Sequence, residues 1–86
     1  MSVILPTWFK QRQGKAEPAG ENTYRLFGPN LREGYVTVRR AENGQWSAAL
    51  RFDANGPDAE ATQPVLPNEY EAWEAAFELY RTAAVV

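Results

Sequence analysis

Apolar and polar positions alternate through the middle of the chain and recur at helical spacing towards its end, so one period predicts a sheet and the other a helix. Thr23 to Phe27, Gly34 to Arg40 and Gln45 to Phe52 are rich in aromatic and β-branched residues. Turn-forming Gly28-Pro29-Asn30 and Asn43-Gly44 separate these runs, and a shorter fourth run, Ala59 to Thr62, follows the turn Asn55-Gly56-Pro57-Asp58. Three or four antiparallel strands joined in chain order are expected.

The Asn43-Gly44 turn can be taken to a register. Trp46, Ala48, Leu50 and Phe52 share one side of their strand, and Ser47, Ala49 and Arg51 share the other. A two-residue turn would set Thr37 and Arg39 on the apolar side, which a buried face disfavours. A three-residue loop, Glu42-Asn43-Gly44 with Gly44 left-handed in a bulge, instead pairs Val38 with Ala48 and Val36 with Leu50. The same register sets Arg40 beside Trp46, where a cation–π contact worth about 0.5–1 kcal/mol is expected.

Asn68 followed three residues later by Glu71 is a capping-box start, and acidic residues fill the first turn that follows. Tyr70, Trp73, Phe77 and Tyr80 then form an aromatic stripe flanked by Ala72, Ala76 and Leu79, with Glu71, Glu74, Glu78 and Arg81 on the wet side. Such a helix needs a sheet to lie on, and the Trp46/Leu50/Phe52 face is the available one. The expected fold is α+β: an antiparallel three- to four-stranded meander packed on one C-terminal helix, with an N-terminal arm.

Residues 1–22 read as that arm and its connector, and 23–86 as a single domain. Val3 to Phe9 is apolar, whereas residues 10–22 are polar, carry Gly14, Pro18 and Gly20, and show no periodicity. The arm either packs back on the domain or docks elsewhere. Val3-Ile4-Leu5 is cut short by Pro6 and lacks a basic leader, so a soluble, unprocessed cytoplasmic chain with no membrane association is expected.

Eighty-six residues with 44% hydrophobic content suit one small domain, in which roughly 60% of the unfolded surface can be buried. Absence of cysteine leaves packing to hold it together. The net charge of −2 hides a division: residues 1–51 hold eight cations against four carboxylates, and residues 52–86 hold one against seven. The molecule therefore carries patches of opposite sign.

Candidate chemistry narrows quickly. Without His or Cys, the commonest general base, thiol nucleophile and zinc ligands are missing, so no enzymatic activity, cofactor or metal is expected. Asp53, Asn55, Asp58 and Glu60 suggest calcium ligands, but Pro57 occupies the fifth loop position and no glutamate closes the loop, so a turn is the better reading.

What remains is a sheet face turned away from the helix, with Arg25, Phe27, Tyr35, Thr37, Arg39 and Arg51 on alternate positions. The arm adds Trp8, Phe9, Lys10 and Arg12. Arginines interleaved with aromatics suit a protein hot spot, and they also suit phosphates and stacked bases. A solvated sheet face carries Arg and Thr without any function too, and the arm could cover Phe27 and Tyr35. Among functional readings, a non-enzymatic interaction module binding a protein partner or a second copy of itself, through the arm and the sheet face, ranks first. Nucleic acid bound on the basic-aromatic face ranks second. The element order over residues 23–82 is similar in outline to a class of plant DNA-binding domains and to the arm-binding domains of tyrosine recombinases, a likeness that implies nucleic-acid contact and assigns no residue a role.

Overall fold

The alternating segments close into a five-stranded antiparallel sheet in the computed structural model of the protein, which describes residues 4–84. The elements are α1 (Thr7–Gln11), β1 (Lys15–Gly20), β2 (Thr23–Gly28), β3 (Leu31–Arg40), β4 (Trp46–Arg51), β5 (Glu60–Ala61) and α2 (Glu69–Ala84). Residues 1–3 of the expected arm and Val85-Val86 at the end of the expected domain lie outside the described residues. Strands follow one another in chain order, β1-β2-β3-β4-β5, so the fold is an α+β meander with one more strand than the upper expectation.

The β3–β4 hairpin has the register that burial demands. Val36 faces Leu50, Val38 faces Ala48 and Arg40 faces Trp46. Ala41 donates its N–H to the Gln45 carbonyl at 2.7 Å, closing a three-residue loop, and Gly44 takes a φ of +83°, which a side chain would strain. Asn43 supports the loop by accepting the Gln45 N–H at 2.8 Å. The expected cation–π pair does not form: Arg40 is exposed, and among the described residues guanidinium–ring contacts join Arg25 to Phe27, Arg32 to Phe52 and Arg51 to Tyr35. Trp46 instead exchanges backbone hydrogen bonds with Leu66 at 2.7 and 3.0 Å, so the segment before α2 occupies the strand's free side.

Helix α2 begins as its cap residues dictate. Asn68 Oδ1 accepts the Glu71 N–H at 2.9 Å, and the Asn68 amide reaches back to the Glu71 carboxylate at 3.3 Å. The helix lays Ala72, Trp73, Ala76, Phe77 and Tyr80 on Leu26, Val36, Val38, Ala48 and Leu50 of the sheet. Tyr70 does not join this stripe, being 57% exposed at the edge of the first turn, beyond the sheet's cover. Gly34 makes the close approach possible: a Cβ there would lie 3.2 Å from the Tyr80 ring and 3.3 Å from Leu50. The Tyr80 hydroxyl donates to the Arg32 carbonyl at 2.6 Å, and burial, aided by the Glu33 charge, pushes its pKa up to about 12.

The N-terminal segment belongs to the same core. Phe9 is fully buried, with its ring 5.4 Å from Phe77 and 6.1 Å from Tyr80, and Trp8 stacks on Tyr80. A Schellman turn ends α1: the N–H groups of Gln13 and Gly14 bond the carbonyls of Lys10 and Phe9, and Gln13 is left-handed at φ 60°. Gly14 passes so close beneath Phe9 that a Cβ would meet its ring at 2.5 Å.

The chain then enters β1, inside the 10–22 stretch whose lack of periodicity predicts only a polar connector. Lys15 pairs with Phe27 and Glu17 with Arg25. Its composition conceals the strand because almost every residue of β1 is exposed, so no apolar alternation is required, and an edge strand tolerates Pro18. No described helix is long and apolar enough to cross a membrane.

Candidate functional site

Alternation along three strands brings six of the ten expected site residues onto one open face. The pairing register runs Glu17, Arg25, Tyr35 and Arg51 in a row across β1 to β4, with Thr23, Thr37, Ala49 and Ala61 in the row beside it. Arg39 lies opposite Ser47 one step further, and Phe27 opposite Lys15 on the other flank. Helix α2 packs on the reverse of the sheet, so this face has no helix over it.

Each arginine here has a different environment. Arg25 donates to Glu17 at 2.6 Å and to Glu33 at 2.5 Å, with its guanidinium 4.3 Å from the Phe27 ring centre. The Glu33 hydrogen bond does most to raise the Arg25 pKa above its ordinary value, with Glu17 adding to it against desolvation. Arg39 meets Asp58 at 3.5 Å. Arg51 lies 5.7 Å from the Tyr35 ring and donates to the Thr37 hydroxyl at 3.3 Å, but it has no carboxylate partner among the described residues. Its Nε is buried without an acceptor. A buried guanidinium nitrogen without an acceptor is uncommon in a folded protein, and it sets Arg51 apart from the two paired arginines.

Thr37 is not a contact residue. It is only 6% exposed, its hydroxyl lies 2.9 Å from that of Thr23, and Arg51 covers it, so it serves as the polar filling of the open side. The arm residues lie elsewhere. Phe9 is enclosed in the core and Trp8 is half-buried against Tyr80 on the helix-covered side, while Lys10 is exposed on α1 and Arg12 at its C-cap. A free docking arm that includes Phe9 is therefore replaced by a core element, because burying its ring against Phe77 and Tyr80 outweighs leaving it in water.

Glu17, Glu33 and Asp58 were not among the expected site residues, although they set the sign of this face. With Lys15, Arg25, Arg39 and Arg51 opposed by these three carboxylates, its excess of positive charge is slight. The Glu17 contact could have been found only by recognising β1 as a strand in register with β2. The turn read from Asp53, Asn55 and Asp58 is present: Asp53 accepts the N–H of Asn55 through Oδ1 and that of Gly56 through its carbonyl, while Asp58 turns to Arg39. Among the described residues no cluster of acidic side chains is arranged to hold a metal ion. Comparison of the chain with protein families, with curated proteins and with solved structures finds no match, so the outline likeness to DNA-binding domains rests on element order alone.

Proposed function

We propose that the protein is a non-catalytic binding module whose open sheet face receives a protein partner, one whose surface offers a carboxylate to Arg51. The observation that carries this reading is the pairing of Arg25 with Glu17 and Glu33 and of Arg39 with Asp58. A phosphate backbone gains from an unbroken run of cations and would meet these carboxylates with repulsion. A protein surface of mixed sign can match both, and arginines beside aromatic rings are the residue types that dominate protein hot spots. The half-buried Arg51, which has no carboxylate partner among the described residues, supplies the point of specificity. A cytoplasmic setting is part of the proposal, in keeping with a chain that has no cysteine.

Two measurements test it together. Labelled mixed-sequence duplex and single-stranded DNA, followed by fluorescence anisotropy at low and then physiological salt, are expected to show no saturable binding. Affinity capture from the native host is expected to retain a protein that is lost with Tyr35→Ala/Arg51→Ala and kept with Glu74→Gln/Glu78→Gln on the opposite side. Saturable DNA binding that weakens steeply with salt and vanishes in Arg39→Ala/Arg51→Ala would replace this reading with nucleic-acid recognition.

A further inference from the structure

On the far side of the sheet from Arg51, the β1–β2 hairpin and the first turn of α2 enclose a cleft of about 290 Å³, near the lower end of the range of small-molecule sites. Pro18, Tyr24 and Trp73 supply its apolar lining, Asn22 and Thr23 add polar groups, and among the described residues Glu69 is the one charged lining residue. The Tyr24 and Trp73 rings meet edge to face, with centres 5.3 Å apart. Trp73 donates its indole N–H to Glu69 Oε2 at 3.1 Å, which fixes the carboxylate beside the rings. Glu69 has no ion-pair partner among the described residues.

We infer that this cleft binds an organic ammonium group. A carboxylate held beside the half-buried Tyr24 ring, with no competing cation among the described lining residues, attracts positive charge by direct attraction. Tyr24 is the ring a cation can face, while the buried Trp73 fixes Glu69 through its N–H edge. The helix start does not reverse the sign. Its macrodipole contributes roughly half a positive charge, while Glu69 and Glu71 both sit in the first turn and Asn68 satisfies the Glu71 N–H. A hard metal ion would demand some six oxygen ligands and a concentration of negative charge. The cleft offers one carboxylate beside Asn22 and Thr23, and no cluster of acidic side chains among the described residues is placed to hold a metal. A methylated ammonium sheds its water at lower cost and can lie against the Tyr24 ring and Pro18. The proposal is independent of the sheet-face reading, since it uses none of the same residues.

The probe is tetramethylammonium chloride, titrated against the Trp73 indole N–H resonance of the whole chain, assigned with Trp73→Phe, with sodium chloride at equal ionic strength as reference. A saturable shift is expected with the ammonium salt alone. Glu69→Gln keeps an oxygen for the indole hydrogen bond and removes the charge, so affinity should fall at least ten-fold while backbone resonances stay in place. Tyr24→Leu should weaken binding with the carboxylate intact, which guards against a folding defect in the first variant. A shift that never saturates, that sodium chloride reproduces, or that Glu69→Gln leaves unchanged overturns the proposal. A short peptide carrying one trimethyllysine then identifies the source. Tighter binding than tetramethylammonium supports a protein side chain as the natural ligand, and equal or weaker binding supports a free small ammonium ion.

Discussion

The two faces of β2, β3 and β4 are made from alternate residues of the same strands, yet different forces hold them. On the helix side, Leu26, Val36, Val38 and Leu50 are at most 1% exposed, and their stabilisation comes from apolar area removed from water. On the open side, Arg25 and Arg39 keep 34% and 56% of their side-chain surface exposed, where ion pairs contribute little to folding. A residue row that adds little stability is free to be used for recognition. Thr23 and Thr37 are the exception, two buried hydroxyls on the wet side that bond each other.

The comparison is broken most forcefully at Phe9. Phe9→Ala should destabilise the fold by about 3–5 kcal/mol, the usual range for an aromatic removed from a packed core. Urea unfolding followed by Trp fluorescence would show a lower midpoint. An unmoved midpoint would mean that α1 contributes nothing to the core, and the N-terminal segment would again be a candidate docking arm.

Thr37→Val sharpens the contrast from within the open face. The substitution is close in shape, and Thr23 keeps its hydrogen bond to the Glu21 carbonyl, but Arg51 is left with neither carboxylate nor hydroxyl. A loss of about 1–3 kcal/mol is expected for such an uncompensated buried group. A neutral result would show that water reaches this row.

These particulars also show what could be read from the chain. The β3–β4 register and the Asn68 cap were legible because each is fixed within a short stretch, by strict alternation in one case and by a side chain reaching its own helix in the other. The Arg25, Tyr35, Arg39 and Arg51 face was legible for the same reason. β1 was not, because an exposed edge strand has no apolar period to detect and is formed by pairing with β2. The arm's apolar character was evident, but its destination depends on Phe77 and Tyr80, far along the sequence. Charge compensation was hidden with β1, since Glu17 meets Arg25 only across that pairing. The Tyr24/Trp73 cleft joins a hairpin tip to a helix start that no local pattern links.

At Tyr80 the buried side can be tested through pH. Replacing the phenol in Tyr80→Phe removes its hydrogen bond to the Arg32 carbonyl and should cost about 0.5–1.5 kcal/mol near neutrality. The folded state holds this group protonated up to about 12, while the unfolded chain releases the proton near 10.0. Its contribution is therefore complete below pH 10 and is lost as pH rises towards 12, because the unfolded state binds fewer protons in that window. The gap between wild type and Tyr80→Phe should close over the same interval. A constant gap would show that the hydroxyl is wet.

The smallest effect belongs to Arg39, two residues from Thr37 on the same strand and face. Among the described residues its ion-pair partner is Asp58, 3.5 Å away, and both groups meet solvent, so Arg39→Gln should move stability by no more than about 0.5 kcal/mol. Unfolding midpoints of the two proteins should agree at low and at high salt. A loss above about 1 kcal/mol would mean that the arginine row helps to hold the sheet together. The open face would then be the second half of the folding frame, and the argument that its arginines are free for a partner would lose its physical basis.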